Sequence, residues 1–227
     1  AFRTFNQFTG NFRTIDPTLP KRRRPALQVM RRSSEHLADL IESLLDISKI
    51  EAGKLEIHRA ECGLRDLIEQ LVATFEMEAH ERGITFHLSI DSRVPSVVYA
   101  DARRLRQILM NLLSNAVRYT RAGHVRFAVS YRNEVATFVV EDTGVGIPAE
   151  AHARIFEPFV RLQDGGPAVP GTGLGLTITK LLVDILGGDL AFDSEPGRGT
   201  TFRVRLMLPR VDQATPPKVM RRIYGHR

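Results

Sequence analysis

The chain has 227 residues, 43% of them hydrophobic and 26% charged. That suits one large domain, or a compact domain with a helical appendage, and excludes wholesale disorder. No apolar run approaches the roughly 18 residues of a membrane span, and no signal-peptide pattern opens the chain. The single cysteine, Cys62, excludes an internal disulfide framework and fits a reducing compartment. The net charge of +6 would suit a nucleic-acid binder, but it is unevenly placed. Residues 1–35 hold eight basic and two acidic residues, and residues 209–227 hold five and one. The stretch between them holds nineteen and twenty-three, so the body is mildly acidic. Basic ends on an acidic body read as solvated connectors, and nucleic acid is not an expected partner.

In chain order, Phe2, Phe5, Phe8 and Phe12 are spaced as on a short helix, stopped by Pro17 and Pro20. A second helix is predicted from about Pro25 to Ala52, with Leu27, Met30, Leu37, Leu40, Ile41, Leu44, Leu45 and Ile50 in one stripe and Gly53 ending it. The pair makes an antiparallel hairpin that buries too little alone, so a self-paired bundle is expected. LEIHRA alternates like a strand, and Leu64–Arg82 reads as an amphipathic helix. ITFHLSI reads as a strand and Asp101–Tyr119 as a helix. HVRFAVSYR and EVATFVVED read as a hairpin around Asn133. A short helix is predicted at 149–156 and a longer one at 173–187. DLAFDSE and TTFRVRLML form a final pair around PGRG. Helices alternating with hairpins predict an α/β sandwich with a mixed sheet and its helices on one face. With the preceding hairpin, the fold class is α+β.

Four segments carry chemistry. In NLLSNAVRYT, Asn111 and Asn115 are four apart and share a helix face. A neutral amide oxygen suits Mg²⁺ beside phosphates, and Arg118 on nearly the same face suits a phosphate. Asparagine pairs on helices are also commonly just solvated. In EDTGVGI, Asp142 ends an apolar strand, placed to accept from an exocyclic amine. Gly144 and Gly146 would let the backbone approach a flat ring, although glycine turns at strand ends are common. GTGLGL, residues 171–176, opens a helix with exposed backbone N–H groups, but it matches neither a Walker A nor a dinucleotide fingerprint. Between them, IFEPFVRLQDGGPAVP is a long Gly- and Pro-punctuated loop of lid type carrying Arg161; a surface loop is the bland alternative.

The order and spacing of the four resemble the N, G1, F and G2 boxes of the Bergerat ATP-binding fold, the GHKL superfamily, and within it the catalytic domain of sensor histidine kinases. The resemblance covers roughly residues 26–208, and SSEHLADLIESLLDISKIEAGKLE resembles the second helix of that family's dimerisation and phosphotransfer hairpin. It implies ATP and Mg²⁺ as ligands, with Asn115 on the metal and Asn111 as a second, water-mediated contact. It further implies Asp142 on the adenine amine and Arg118 and Arg161 on phosphates. Gly171, Gly173 and Gly175 would wrap the phosphate chain, with Tyr119, Gly144, Gly146, Ile147, Thr172, Leu174 and Leu176 completing the nucleotide site. The ATP-hydrolysing relatives carry a glutamate where this chain has Asn111, which cannot serve as general base. The implied module is therefore a kinase. Residues 1–53 would be the dimerising hairpin, 54–209 the ATP-binding domain, and 210–227 a linker. The implied partners are a second copy through the hairpin and a receiver domain of a response regulator, in cis or in trans. The implied place is the cytoplasm, with any membrane anchor outside these residues.

The family's acceptor segment, H-E-[LI]-R-x-P, does not occur among the seven histidines, and His36 in SSEHL reads as packing or capping. AFRTFNQFTGNF resembles the part of the first helix that follows that segment, so the chain is expected to start just past the acceptor. A degenerate hairpin, with the chain acting as a nucleotide-binding regulatory module, is the alternative. KVMRRIYGHR resembles the link that precedes a receiver domain in hybrid kinases.

Overall fold

The computed structural model describes residues 24–161 and 172–211. The expected first helix, residues 162–170 of the lid segment together with Gly171, and the tail beyond 211 lie outside the described residues. The chain divides into two compact units, one of residues up to Glu56 with Ala149–Leu182, the other of Ile57–Pro148 with residues from Val183 onward.

In the first unit, helix α1 (Arg24–Glu51) matches the predicted span. It closes where Gly53 donates to the Ile50 carbonyl at 2.9 Å and Lys54 to Lys49 at 2.8 Å, the paired bonds of a Schellman ending. Leu37, Ile41, Leu44 and Leu45 stand exposed on it, Leu37 at 54%. The helix expected at 149–156 is only a 3-10 turn, Ala149–Ala151. Pro158 has no N–H to continue a helical ladder, and isolated turns fill the stretch. Helix α4 (Gly175–Ile185) is shorter at both ends than the span predicted for it.

The second unit holds helices α2 (Leu64–Glu81) and α3 (Ala102–Tyr119). Its main sheet runs in the order β2 (Thr85–Ile90), β4 (His124–Arg132), β5 (Val135–Asp142), β7 (Gly199–Met207), β6 (Asp189–Glu195). β2 is parallel to β4 and the other pairs are antiparallel, which makes the mixed sheet expected. Strict alternation sends Val125, Phe127 and Val129 of β4, Phe138 and Val140 of β5, and Val204 and Leu206 of β7 into the core. Arg126, Arg203 and Arg205 point the other way, exposed. The buried stripes of α2 (Leu64, Leu67, Ile68, Leu71, Phe75) and α3 (Leu105, Ile108, Leu109, Leu112, Leu113) pack against each other and onto this face.

A small second sheet was not foreseen. β1 (Ala60–Gly63) pairs antiparallel with β3 (Val97–Ala100), with Cys62 opposite Val98. On the other edge of β3, Tyr99 donates to the Pro209 carbonyl at 2.8 Å and Val211 to Val97 at 3.3 Å. Tyr131 fixes this exit by donating its hydroxyl to the Leu208 carbonyl at 2.8 Å. Burial pushes the Cys62 thiol up, which keeps it in the unreactive form. LEIHRA is a strand only at its last residue. Leu55 and Ile57 are half-buried in an extended stretch that pairs with no strand among the described residues. No helix among the described residues is long and apolar enough to cross a membrane.

The β4–β5 hairpin turns on two residues rather than on Asn133 alone. Arg132 faces Val135, with Asn133 at φ +51° and Glu134 at φ +61°, the left-handed pair of a type I′ turn. Asparagine tolerates that conformation better than glutamate does. Glu134→Gly is therefore expected to raise stability by about 0.5–1 kcal/mol, read from the midpoint of urea unfolding; an unchanged or lower midpoint would contradict the assignment.

Candidate functional site

The sequence-predicted residues fall into two groups, one on each unit. The first begins on α3. Asp101 caps that helix, its Oδ1 accepting from the Arg104 N–H at 3.0 Å. The apolar stripe faces the core, which leaves Asn111, Ser114, Asn115, Arg118 and Tyr119 half-buried along one flank. Arg118 donates to the Ser114 hydroxyl at 3.2 Å, one turn back, which draws its guanidinium along this flank.

The loop after β5 meets the end of this helix. A Cβ on residue 144 would sit 2.5 Å from the Tyr119 carbonyl oxygen and 2.8 Å from Asp142 Oδ1, so only glycine fits. The requirement at Gly144 thus comes first from the protein's own backbone. Val145 donates to the Tyr119 carbonyl at 3.4 Å. Farther along, Gly146 abuts the Glu195 carbonyl, and Ile147 donates to Ser194 Oγ at 2.8 Å, which ties the loop to the β6–β7 turn. Thr143 adds a third tie, accepting from the His124 N–H at 2.9 Å. Ser194 lies outside the motifs and Thr143, although inside EDTGVGI, was assigned no role there; sequence reasoning missed both as loop anchors.

Asp142 lies at the end of β5, 8% exposed. Its Oδ1 accepts from the Gly144 N–H at 2.8 Å, closing an Asx turn. Burial pushes its carboxyl up to about 6, against the downward pull of backbone hydrogen bonds from Gly144 and Thr200. Two backbone donors do not exhaust the acceptor positions of a carboxylate, so an amine can still be accepted there.

The second group is on the first unit. Phe159 N–H donates to the Gly173 carbonyl at 3.0 Å, joining the segment of Phe156 and Arg161 to the glycine segment. Gly173 has φ +72°, and a Cβ there would lie 2.9 Å from the Phe159 backbone, so glycine is required on both counts. Thr172 Oγ1 accepts from the Leu174 N–H at 3.2 Å just before α4 begins at Gly175. Leu174 is buried, Leu176 half-buried, and Arg161 exposed. Gly171 lies outside the described residues.

Two observations test whether a nucleotide and its metal fit. Thr177 Oγ1, in the first turn of α4, is buried with no hydrogen-bond partner among the described residues. A phosphate oxygen or bound water at a helix N-terminus would satisfy such a hydroxyl. Among the described residues no cluster of three or more His, Cys, Asp or Glu could hold a metal ion. A divalent ion here would lean on the amide oxygens of α3 and on the ligand's own phosphates, a donor set hard enough for Mg²⁺.

Because the folded state raises the Asp142 pKa from 3.8 to about 6, it favours the protonated acid. Its contribution to stability is full below the lower value, falls as pH rises between the two, and is flat above. Asp142→Asn is expected to remove that descent and to add on the order of 1–3 kcal/mol at pH 7. Parallel urea-unfolding profiles of the two proteins across this window would rule it out.

Residues 100–210 match the family model described as "Histidine kinase-, DNA gyrase B-, and HSP90-like ATPase". The virulence sensor protein BvgS of Bordetella bronchiseptica is 41% identical over 204 residues, covering 86% of this chain and 16% of BvgS. The signal transduction histidine-protein kinase BarA of Escherichia coli is 38% identical over 196 residues, covering 83% of this chain and 21% of BarA. This chain thus spans about a fifth of the length of the curated relatives it matches. Among solved structures, full-length ShkA in complex with AMPPNP superposes with a TM-score of 0.75 at 33% identity, over 92% of this chain and 44% of ShkA. The chain therefore carries a domain of the histidine kinase-, gyrase B- and HSP90-like ATPase family, in the Bergerat fold of histidine kinase catalytic domains, and is homologous to the hybrid sensor histidine kinases of two-component signalling.

Proposed function

We propose that this chain is the core of a protein-histidine kinase that binds Mg·ATP and passes the γ-phosphoryl to a histidine, and from there to the aspartate of a receiver domain. The observation that carries the reading is the half-buried amide flank of α3, Asn111, Asn115 and Arg118, set beside the buried acceptor Asp142 at the end of β5. Asp142 and the glycine loop select adenine. Asn115 holds the metal, with Asn111 in support, and Arg118 meets a phosphate. Residues Thr172–Leu176, with Gly171 and Arg161, take the rest of the phosphate chain. When bound, Mg²⁺ neutralises phosphate charge during transfer.

Asn111 gives the reading its direction. An amide cannot take a proton from water at neutral pH, so this position holds a bound ligand without activating hydrolysis. In the transfer, the bond from the γ-phosphorus to the bridging oxygen breaks and ADP leaves. A phosphorus–nitrogen bond forms to an imidazole, which loses its proton. The chain's residues contribute orientation and charge placement, not covalent chemistry. The exposed residues Leu37, Ile41, Leu44 and Leu45 of α1 fit a hairpin that pairs with a second copy, residues 54–209 form the catalytic domain, and 210–227 link onward. A second reading, a regulatory module acting by hetero-association, rests on the missing H-E-[LI]-R-x-P segment.

Asn115→Ala is expected to weaken AMPPNP binding in the presence of Mg²⁺ by on the order of 100-fold, a metal contact being worth several kcal/mol. Unchanged calorimetric affinity would remove Asn115 from the metal. Below about pH 6 the affinity advantage of the wild type over Asp142→Asn should shrink, because the protonated acid is a poorer acceptor for the adenine amine. A pH-independent ratio would count against the adenine assignment. The 227-residue chain should bind ATP without steady hydrolysis and without gaining acid-labile, base-stable phosphate. Radiolabel on one of its own histidines would overturn that expectation.

A further inference from the structure

Asp101 makes two backbone hydrogen bonds with its two oxygens. Oδ1 caps α3 through Arg104, and Oδ2 accepts from the backbone N–H of His58 at 2.9 Å. His58 is 43 residues earlier, in the connector between α1 and β1, where no strand partner is available to its N–H. The carboxylate is 7% exposed, so both bonds are largely screened from water. The next residue, Arg59, reaches the Leu186 carbonyl at 3.5 Å. Arg59 and Asp101 line one small cavity together with Leu105, Leu186 and Leu206. The connector is thereby strapped across the first turn of the helix that carries Asn111 and Asn115. A helix rises about 1.5 Å per residue, which puts Asn111 about 15 Å along the same rigid rod from Asp101.

We propose that Asp101 is a positioning residue that locks the connector to the nucleotide-binding helix, so that connector placement and nucleotide occupancy are thermodynamically linked. The proposal rests on the reading of α3 given under Proposed function. A carboxylate is needed because it offers two acceptor oxygens. An ordinary helix cap needs one, which asparagine also supplies. By linkage, whatever nucleotide binding does to the strap, the strap must do to nucleotide binding.

That difference separates the two roles. In D101N the amide oxygen still caps Arg104, while the amide nitrogen, a donor, faces the His58 N–H. Residue-resolved amide exchange on the whole 227-residue chain, with and without Mg·AMPPNP, reads both ends. In the wild type, AMPPNP should slow exchange at His58. In D101N, exchange at His58 should rise by about tenfold or more, the value of one hydrogen bond to a charged group. Arg104 should stay protected, and AMPPNP should no longer affect His58. His58→Pro, which removes the donor and leaves Asp101 intact, should change AMPPNP affinity in the same direction and by the same factor as D101N, with no further change in the double variant. Equal exchange at His58 in D101N and wild type, no effect of AMPPNP on His58 in the wild type, or additive affinity changes would each overturn the lock and leave Asp101 a simple cap. Failure of the unaltered chain to bind AMPPNP at all is a different result. It would sink the nucleotide reading and the linkage with it, with exchange at His58 and Arg104 still deciding whether the strap exists.

Discussion

Where the chain leaves β5 it crosses the last turn of α3, and the Tyr119 carbonyl lies 2.5 Å from where a side chain at position 144 would begin. The amide-bearing flank of α3 and the acidic end of β5 are held in one place by this contact, which is backbone against backbone. It holds because each side is anchored elsewhere. The helix is pressed onto the sheet by Leu105, Ile108, Leu109, Leu112 and Leu113, all essentially inaccessible. The loop is tied to His124, Ser194 and Gly197 by hydrogen bonds of 2.8–2.9 Å. Burial of Asp142 follows from the same closeness, and so does the cost of ionising it. A carboxylate buried in this way carries a standing destabilisation in its charged form, and the packed sheet beneath it supplies the compensation.

What was legible in the sequence is what depends on local period. HVRFAVSYR could be read as a strand because each second residue is apolar, and it is one over its full length. Asp101–Tyr119 could be read as a helix because its apolar residues follow a 3.6-residue stripe; that Asp101 is its cap appears only in the structure. The four motifs were legible because each is short and their order is fixed, and the family relationship follows from them. What could not be read depends on partners distant in sequence. The four residues VVYA of β3 form a strand because β1 arrives on one edge and residues 209–211 on the other. LEIHRA alternates just as convincingly, but among the described residues no strand comes to its edge, and the His58 N–H turns to a carboxylate instead.

The glycines show the same limit within the site. The EDTGVGI segment suggested that Gly144 and Gly146 let the backbone approach a ring; the atoms a side chain there would strike first are the carbonyl oxygens of Tyr119 and Glu195. Gly173 is likewise held against the backbone of Phe159. Such residues let the chain fold tightly onto itself, a role that no single-position argument distinguishes from direct contact with a ligand. Asn111 is the opposite case. The reading proposed for it rests on side-chain chemistry alone, since an amide cannot act as the general base that a carboxylate could be.

The small sheet has a consequence of another kind. β1, through which the chain enters the second unit, and residues 209–211, through which it leaves, flank the same strand β3. Both segments are antiparallel to β3 and so run the same way, which puts the entrance at the Ala100 end and the exit at the Val97 end, about 14 Å apart for strands about 4.8 Å apart rising about 3.3 Å per residue. A pull between the two junctions therefore loads the hydrogen-bond ladders of β3 in shear, along the strands rather than across them. Tension applied at one junction is shared with the other through a single strand.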